Sequence, residues 1–160
     1  MTKRKIQILL LSASVVALLA TCLISIFAPV CRDNERNSRE TIVKQRLCII
    51  RSAQEHYRKT YGCYAADFKQ LIKAKLIVDS IQYIPFAEGA KFRMAATKVE
   101  GKSGKMIPVM ECSALYADFL KGMNEKYISS IIENANVYGE YPGLKFGDIT
   151  SNNDNAANWE

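Results

Sequence analysis

The residues able to carry nucleophilic, acid–base or metal chemistry are few: one histidine, His56, and five cysteines, Cys22, Cys31, Cys48, Cys63 and Cys112. A serine or cysteine nucleophile would have only His56 as its imidazole base, and His56 lies among apolar residues where a packed, hydrogen-bonded ring is expected. The cysteines contain no C-x-x-C pair and no zinc-finger spacing, which excludes the common structural zinc centres. In an oxidising compartment Cys63 and Cys112 are the first pair to join, because each follows an expected element; free buried thiols are the default otherwise. Asp148, Asn152, Asn153, Asp154 and Asn155 offer oxygens, but their spacing fits no calcium loop, so a solvated polar tail is expected. Gly101 and Gly104 with their neighbouring lysines fit a hairpin turn and no phosphate-binding loop. No catalytic residue, metal or cofactor is implied, and no small-molecule substrate is evident.

The net charge of +6 is spread along the chain, so it suits a membrane surface as well as it suits nucleic acid. Nucleic acid is not the favoured partner. The 160 residues leave room for one domain plus an anchor. From Ile6 to Val30 no residue is charged, and such a run in a helix reaches roughly 35 Å, enough to cross a hydrocarbon core of about 30 Å. Lys3, Arg4 and Lys5 precede it and place the N-terminus in the cytoplasm, although Arg32, Arg36, Arg39, Lys44 and Arg46 follow it. The run is longer than the apolar region of a cleaved signal peptide. Leu19-Ala20-Thr21-Cys22 loosely resembles a lipidation signal, but the apolar run continues to Ala28, which fits a retained span better. Pro29 is expected to bend or end the helix.

Asp33 to Thr60 lacks glycine and proline, and Val43, Leu47, Ile50, Ala53 and Tyr57 recur at three- or four-residue steps. This stripe packs either on the chain's own sheet or on another subunit. Ile42, Ile49 and His56 lie beside it and are expected to widen the buried face. Beyond it, Asp67 to Lys75 reads as a short helix facing inward through Phe68, Leu71 and Ile72. Ser80 to Phe86, Lys91 to Val99, Met106 to Cys112, Tyr116 to Leu120 and Leu144 to Phe146 read as strands. Pro108 places its strand at an edge or bulge. Asn124 should cap a helix over 124–134 carrying Tyr127, Ile128, Ile131 and Ile132. Trp159, in the polar tail, is either a loose or self-docked end or a plug into a partner.

Ile50-Arg51-Ser52-Ala53-Gln54-Glu55-His56-Tyr57, followed by Tyr61-Gly62-Cys63-Tyr64 and then Phe68 and Leu71, resembles the helix end and following loop of type IV pilins and type II secretion pseudopilins. The resemblance implies an α+β fold in which a long N-terminal helix, membrane span plus amphipathic stem, packs on a small antiparallel sheet. The pilin leader pattern is absent where Lys5 passes into Ile6-Gln7-Ile8, so the mature chain is expected to begin near Met1. Tyr141-Pro142-Gly143-Leu144-Lys145 with Asn158-Trp159-Glu160 also resembles single-span envelope proteins of the Bacteroidota. The expected layout is a cytoplasmic N-terminus (1–5), a transmembrane helix (6–30), a stem helix (31–62), a small α+β periplasmic domain (63–150) and a polar tail (151–160). The expected function is a non-catalytic structural or scaffolding subunit in the inner membrane, with the membrane and other envelope proteins as partners. A pseudopilin-type fibre subunit and an extracytoplasmic ligand- or DNA-binding module are the alternatives.

Overall fold

The computed structural model describes residues 3–101 and 104–160, so the tip of the Gly101–Gly104 turn and the first two residues lie outside the described residues. Helix α1 spans Lys3–Tyr61, 59 residues. The chain divides into two compact units, Met1–Asn37 and Ser38–Glu160. Helical backbone continues through Pro29, where two helices were expected. Proline already has a helical φ, and the bond it removes is tolerated in apolar helices whose other backbone groups stay paired.

In the first unit the apolar side chains stand outward: Leu11 is 70% exposed and Ile24 is 67% exposed. Two of its hydroxyls turn back into the helix, Ser14 Oγ donating to the Leu11 carbonyl at 2.8 Å and Thr21 Oγ1 to that of Leu18 at 2.9 Å. Among the described residues this is one helix long and apolar enough to cross a membrane.

The second unit is α+β, with the C-terminal part of α1 against a three-stranded antiparallel sheet in the order β1-β2-β3. β1 is Arg93–Glu100, β2 is Met106–Leu115 and β3 is Gly143–Gly147. Register places Met94 and Phe146 on either side of Cys112, and Ala96 opposite Met110. Met110, Cys112, Ala114, Leu144 and Phe146 form one core with Val43, Leu47, Ile50 and Ala53 of α1. β3 can lie this close because Gly143 and Gly147 lack side chains. A Cβ at Gly143 would strike the Ala114 carbonyl and one at Gly147 that of Met110, where φ is also +75°. β3 pairs only with Glu111–Leu115, so at Pro108 the middle strand is flanked by β1 alone and the missing N–H is tolerated.

Short helices close the ends of the sheet. α2, Phe68–Lys73, is capped by Asp67, whose Oδ1 accepts from the Gln70 N–H at 2.9 Å. α4, Glu125–Val137, is capped by Asn124. Two expected strands are absent from the ladder. Asp79–Gln82 forms a 3-10 turn and Tyr83 makes only an isolated bridge to Lys91, since Pro85 cannot extend a ladder. Tyr116–Phe119 is a single helical turn, α3. Phe119 and the following Leu120 are both fully buried, which a strand with alternating faces could not achieve on a one-sided core.

Candidate interaction surface

The α1 stripe lies in the core of the second unit: Val43, Leu47, Ile50 and Ala53 are buried and Tyr57 packs at the edge. Gln54 belongs to the same buried face. Its Nε2 donates to the Ala65 carbonyl at 3.0 Å and its Oε1 accepts from the Ala65 N–H at 2.9 Å, tying the loop after α1 to the helix. The signal was present, because 43, 47, 50, 54 and 57 form a single four-three series.

Ile42, Ile49 and His56 correct the expected width of that face: Ile42 is 40% exposed, Ile49 is 46% exposed and His56 is also exposed. The sheet covers a narrower arc of α1 than the apolar residues span.

The C-terminal segment, expected to be a solvated tail, folds back as an irregular fourth edge along β3. Asn158 N–H donates to the Lys145 carbonyl at 2.9 Å, Lys145 N–H to Asn158 Oδ1 at 3.0 Å, and Gly147 N–H to the Ala156 carbonyl at 3.0 Å. Asn155 and Ala157 are buried, and Trp159 packs half-buried against the core. Backbone bonds along a sheet edge outweigh the polar composition that suggested solvation.

The same segment meets α1 through a polar cluster. Asn155 Nδ2 donates to Glu55 Oε1 and, at 2.7 Å, to Tyr64 Oη. Tyr64 Oη in turn donates to Glu55 Oε1 at 3.0 Å and accepts from Arg58 Nη1 at 2.9 Å. Arg51 Nη2 donates to Glu160 Oε1 at 2.7 Å. Burial pushes the Tyr64 phenol above its ordinary range, and the Arg51 bond holds Glu160 below the usual carboxylate range. These bonds fasten helix to tail.

Two more arginines of α1 bind loop carbonyls. Arg39 Nη1 donates to Lys121 at 2.8 Å and Arg46 Nη1 to Tyr83 at 2.6 Å. These cations fasten loops to the helix.

Cys63 and Cys112 are both free thiols, the default reading of the sequence, and are not joined to each other. Cys112 sits at the centre of the middle strand, fully buried, and Cys63 lies half-buried in the loop after α1. Burial pushes the Cys112 thiol far above its ordinary pKa, which suppresses the reactive thiolate. Among the described residues no three histidine, cysteine, aspartate or glutamate side chains cluster for a metal.

No known protein family, curated protein or solved structure matches this chain. Two shallow grooves include exposed apolar residues. On α1, Thr41, Lys44, Gln45, Cys48 and Ile49 line a shallow groove of about 520 Å³. On α4, Ser129, Ile132, Glu133, Asn136 and Val137 line another of about 430 Å³, beside Tyr138, which is 78% exposed.

Proposed function

We propose that the chain is a non-catalytic, single-pass envelope protein whose outer domain works by docking onto other envelope proteins. The observation that carries this reading is the outward-facing apolar run of α1, whose Ser14 and Thr21 hydroxyls are satisfied inside the helix. Such a surface is stable in hydrocarbon and costly in water. Lys3, Arg4 and Lys5 support a cytoplasmic N-terminus, with residues 38–160 on the periplasmic side of the inner membrane. The docking role is supported by the cluster of Arg51, Glu55, Tyr64 and Asn155, whose members bond one another, while apolar residues on α1 and α4 stay exposed.

The test is membrane retention together with side-specific labelling. The native chain should stay in the pellet after an alkaline carbonate wash. A variant keeping exposed Cys48 as its sole cysteine should react with a membrane-impermeant maleimide once the outer membrane is opened. Extraction by carbonate would remove the anchor, and labelling only after the inner membrane is broken would invert the topology.

A pseudopilin-type fibre subunit is the second reading, favoured by a long helix whose stem packs on an antiparallel sheet. Fibre subunits lose a leader before assembly, so an intact mass for the mature N-terminus from Met1 would set this reading aside.

A further inference from the structure

We propose that residues 152–160 form a releasable strap over the β3 edge, and that the opened edge accepts an extended segment of a partner protein by strand addition. The inference deepens the docking reading, on which it rests, by naming the surface and the kind of segment that fits it.

Four backbone groups along β3 bond to the strap: the Gly143 carbonyl, both groups of Lys145 and the Gly147 N–H. Two of these bonds come from strap backbone, Asn158 N–H to the Lys145 carbonyl at 2.9 Å and the Ala156 carbonyl to Gly147 N–H at 3.0 Å. The other two come from one side chain. Asn158 Oδ1 accepts from Lys145 N–H at 3.0 Å and Asn158 Nδ2 donates to the Gly143 carbonyl at 2.9 Å. The strap therefore meets β3 as an isolated bridge, Phe146 with Ala157, in place of a ladder. A side chain here stands in for the backbone of a strand, and an incoming strand can make the same bonds from its own backbone.

The strap is also lightly anchored. It gives the core Ala157 and the half-buried Trp159, whereas the fully buried Leu47, Ile50, Met110 and Phe119 belong to other elements. Asp154 and Asn155 stand at φ +53° and +57°, a left-handed backbone that a freed segment relaxes. Its remaining hold is on side chains of α1: Arg51 donates to Glu160 at 2.7 Å and to the Asn155 carbonyl at 3.3 Å, and Glu55 accepts from Asn155. A segment held this way opens without unfolding the domain beneath it.

The present occupant defines what fits: an extended segment with a small residue, an asparagine, an aromatic ring and a carboxylate for Arg51, in that order. Because the strap is tethered, it competes at an effective concentration of about millimolar, and a partner enters once the clasps on α1 and β3 weaken.

The experiment uses the full chain in detergent and a fluorescein-labelled peptide of residues 152–160. In the unaltered chain the amide hydrogens of Lys145, Gly147 and Asn158 should exchange together, about tenfold or more faster than those of the β1-β2 ladder. Equal exchange would show that the strap opens only with global unfolding, which overturns the release. Asn158→Ala with Glu160→Gln loosens the strap from its own side and leaves Arg51 and β3 intact. This variant should keep its cooperative melt and bind the peptide about tenfold or more tightly than the unaltered chain does, and adding Arg51→Ala should reverse the gain. Equal binding by both chains, or no binding by the loosened variant, would overturn the strand-accepting edge. The exchange measurement needs no substitution, so it decides the release even where the variant loses its melt. Neither arm uses a membrane: an anchor that fails the carbonate wash leaves both untouched, and a strap that never opens leaves the anchor standing.

Discussion

At Gln54 one side chain holds both the N–H and the C=O of Ala65 in a fully buried place. Replacing it with leucine keeps the volume and strands two buried backbone groups, a cost of roughly 1–3 kcal/mol for each. Gln54→Leu should therefore lower the unfolding free energy measured by chemical denaturation by several kcal/mol in total, roughly as much as losing a large core side chain. A change within about 0.5 kcal/mol would show that the clamp is dispensable. Neighbouring positions on α1 separate burial from mere apolar character. Leu47→Asp buries an unpaired carboxylate and should abolish cooperative melting, whereas Ile49→Asp, on the exposed side, should shift stability by less than about 0.5 kcal/mol. Cys112 should resist a disulfide reagent such as DTNB until the domain unfolds, while exposed Cys48 reacts in the native state.

Among the elements, the C-terminal segment is the one whose attachment depends on ionisation. Glu160 is held below the ordinary carboxylate range first by its bond from Arg51 and then by the Ala157 N–H; Asp148 is held below it by Thr150. A carboxylate whose folded pKa is depressed contributes stability above its unfolded value, near 4 for these types, and loses it as pH falls through the lower folded value. The segment should thus stay docked at neutral pH and loosen below about pH 4. Trp159 is the sole tryptophan, so its fluorescence reads this directly. Emission should shift to the red under acid in the native chain, and already at neutral pH in Arg51→Ala. An unchanged spectrum in that variant would mean that Ala157 and the β3 edge hold the segment without the ion pair.

For the whole molecule, the core of the second unit begins at Val43 among the described residues, so a piece beginning at Ser38 should be soluble and melt cooperatively without the apolar run. Aggregation of that piece would show that the first unit shields part of its surface. The helix long and apolar enough to span a membrane was legible in the sequence, because an uncharged run of that length is set by composition and by a helix that satisfies its own backbone. The α1 stripe, the Asn124 cap and β1, β2 and β3 were legible for a related reason: local period and local hydrogen bonding fix which residues share a face. Local period does not say how much of a face a neighbour will cover, and only the packed sheet decided that Ile42, Ile49 and His56 stay outside while Gln54 goes in. Nor does it say what distant residues will meet. Asn155 and Glu55 are 100 residues apart, and the last residues changed from a solvated tail into part of the sheet because an open β3 edge and a waiting Arg51 lay within reach. Those contacts exist only once the chain has folded, since each depends on a partner whose position the neighbouring residues do not encode.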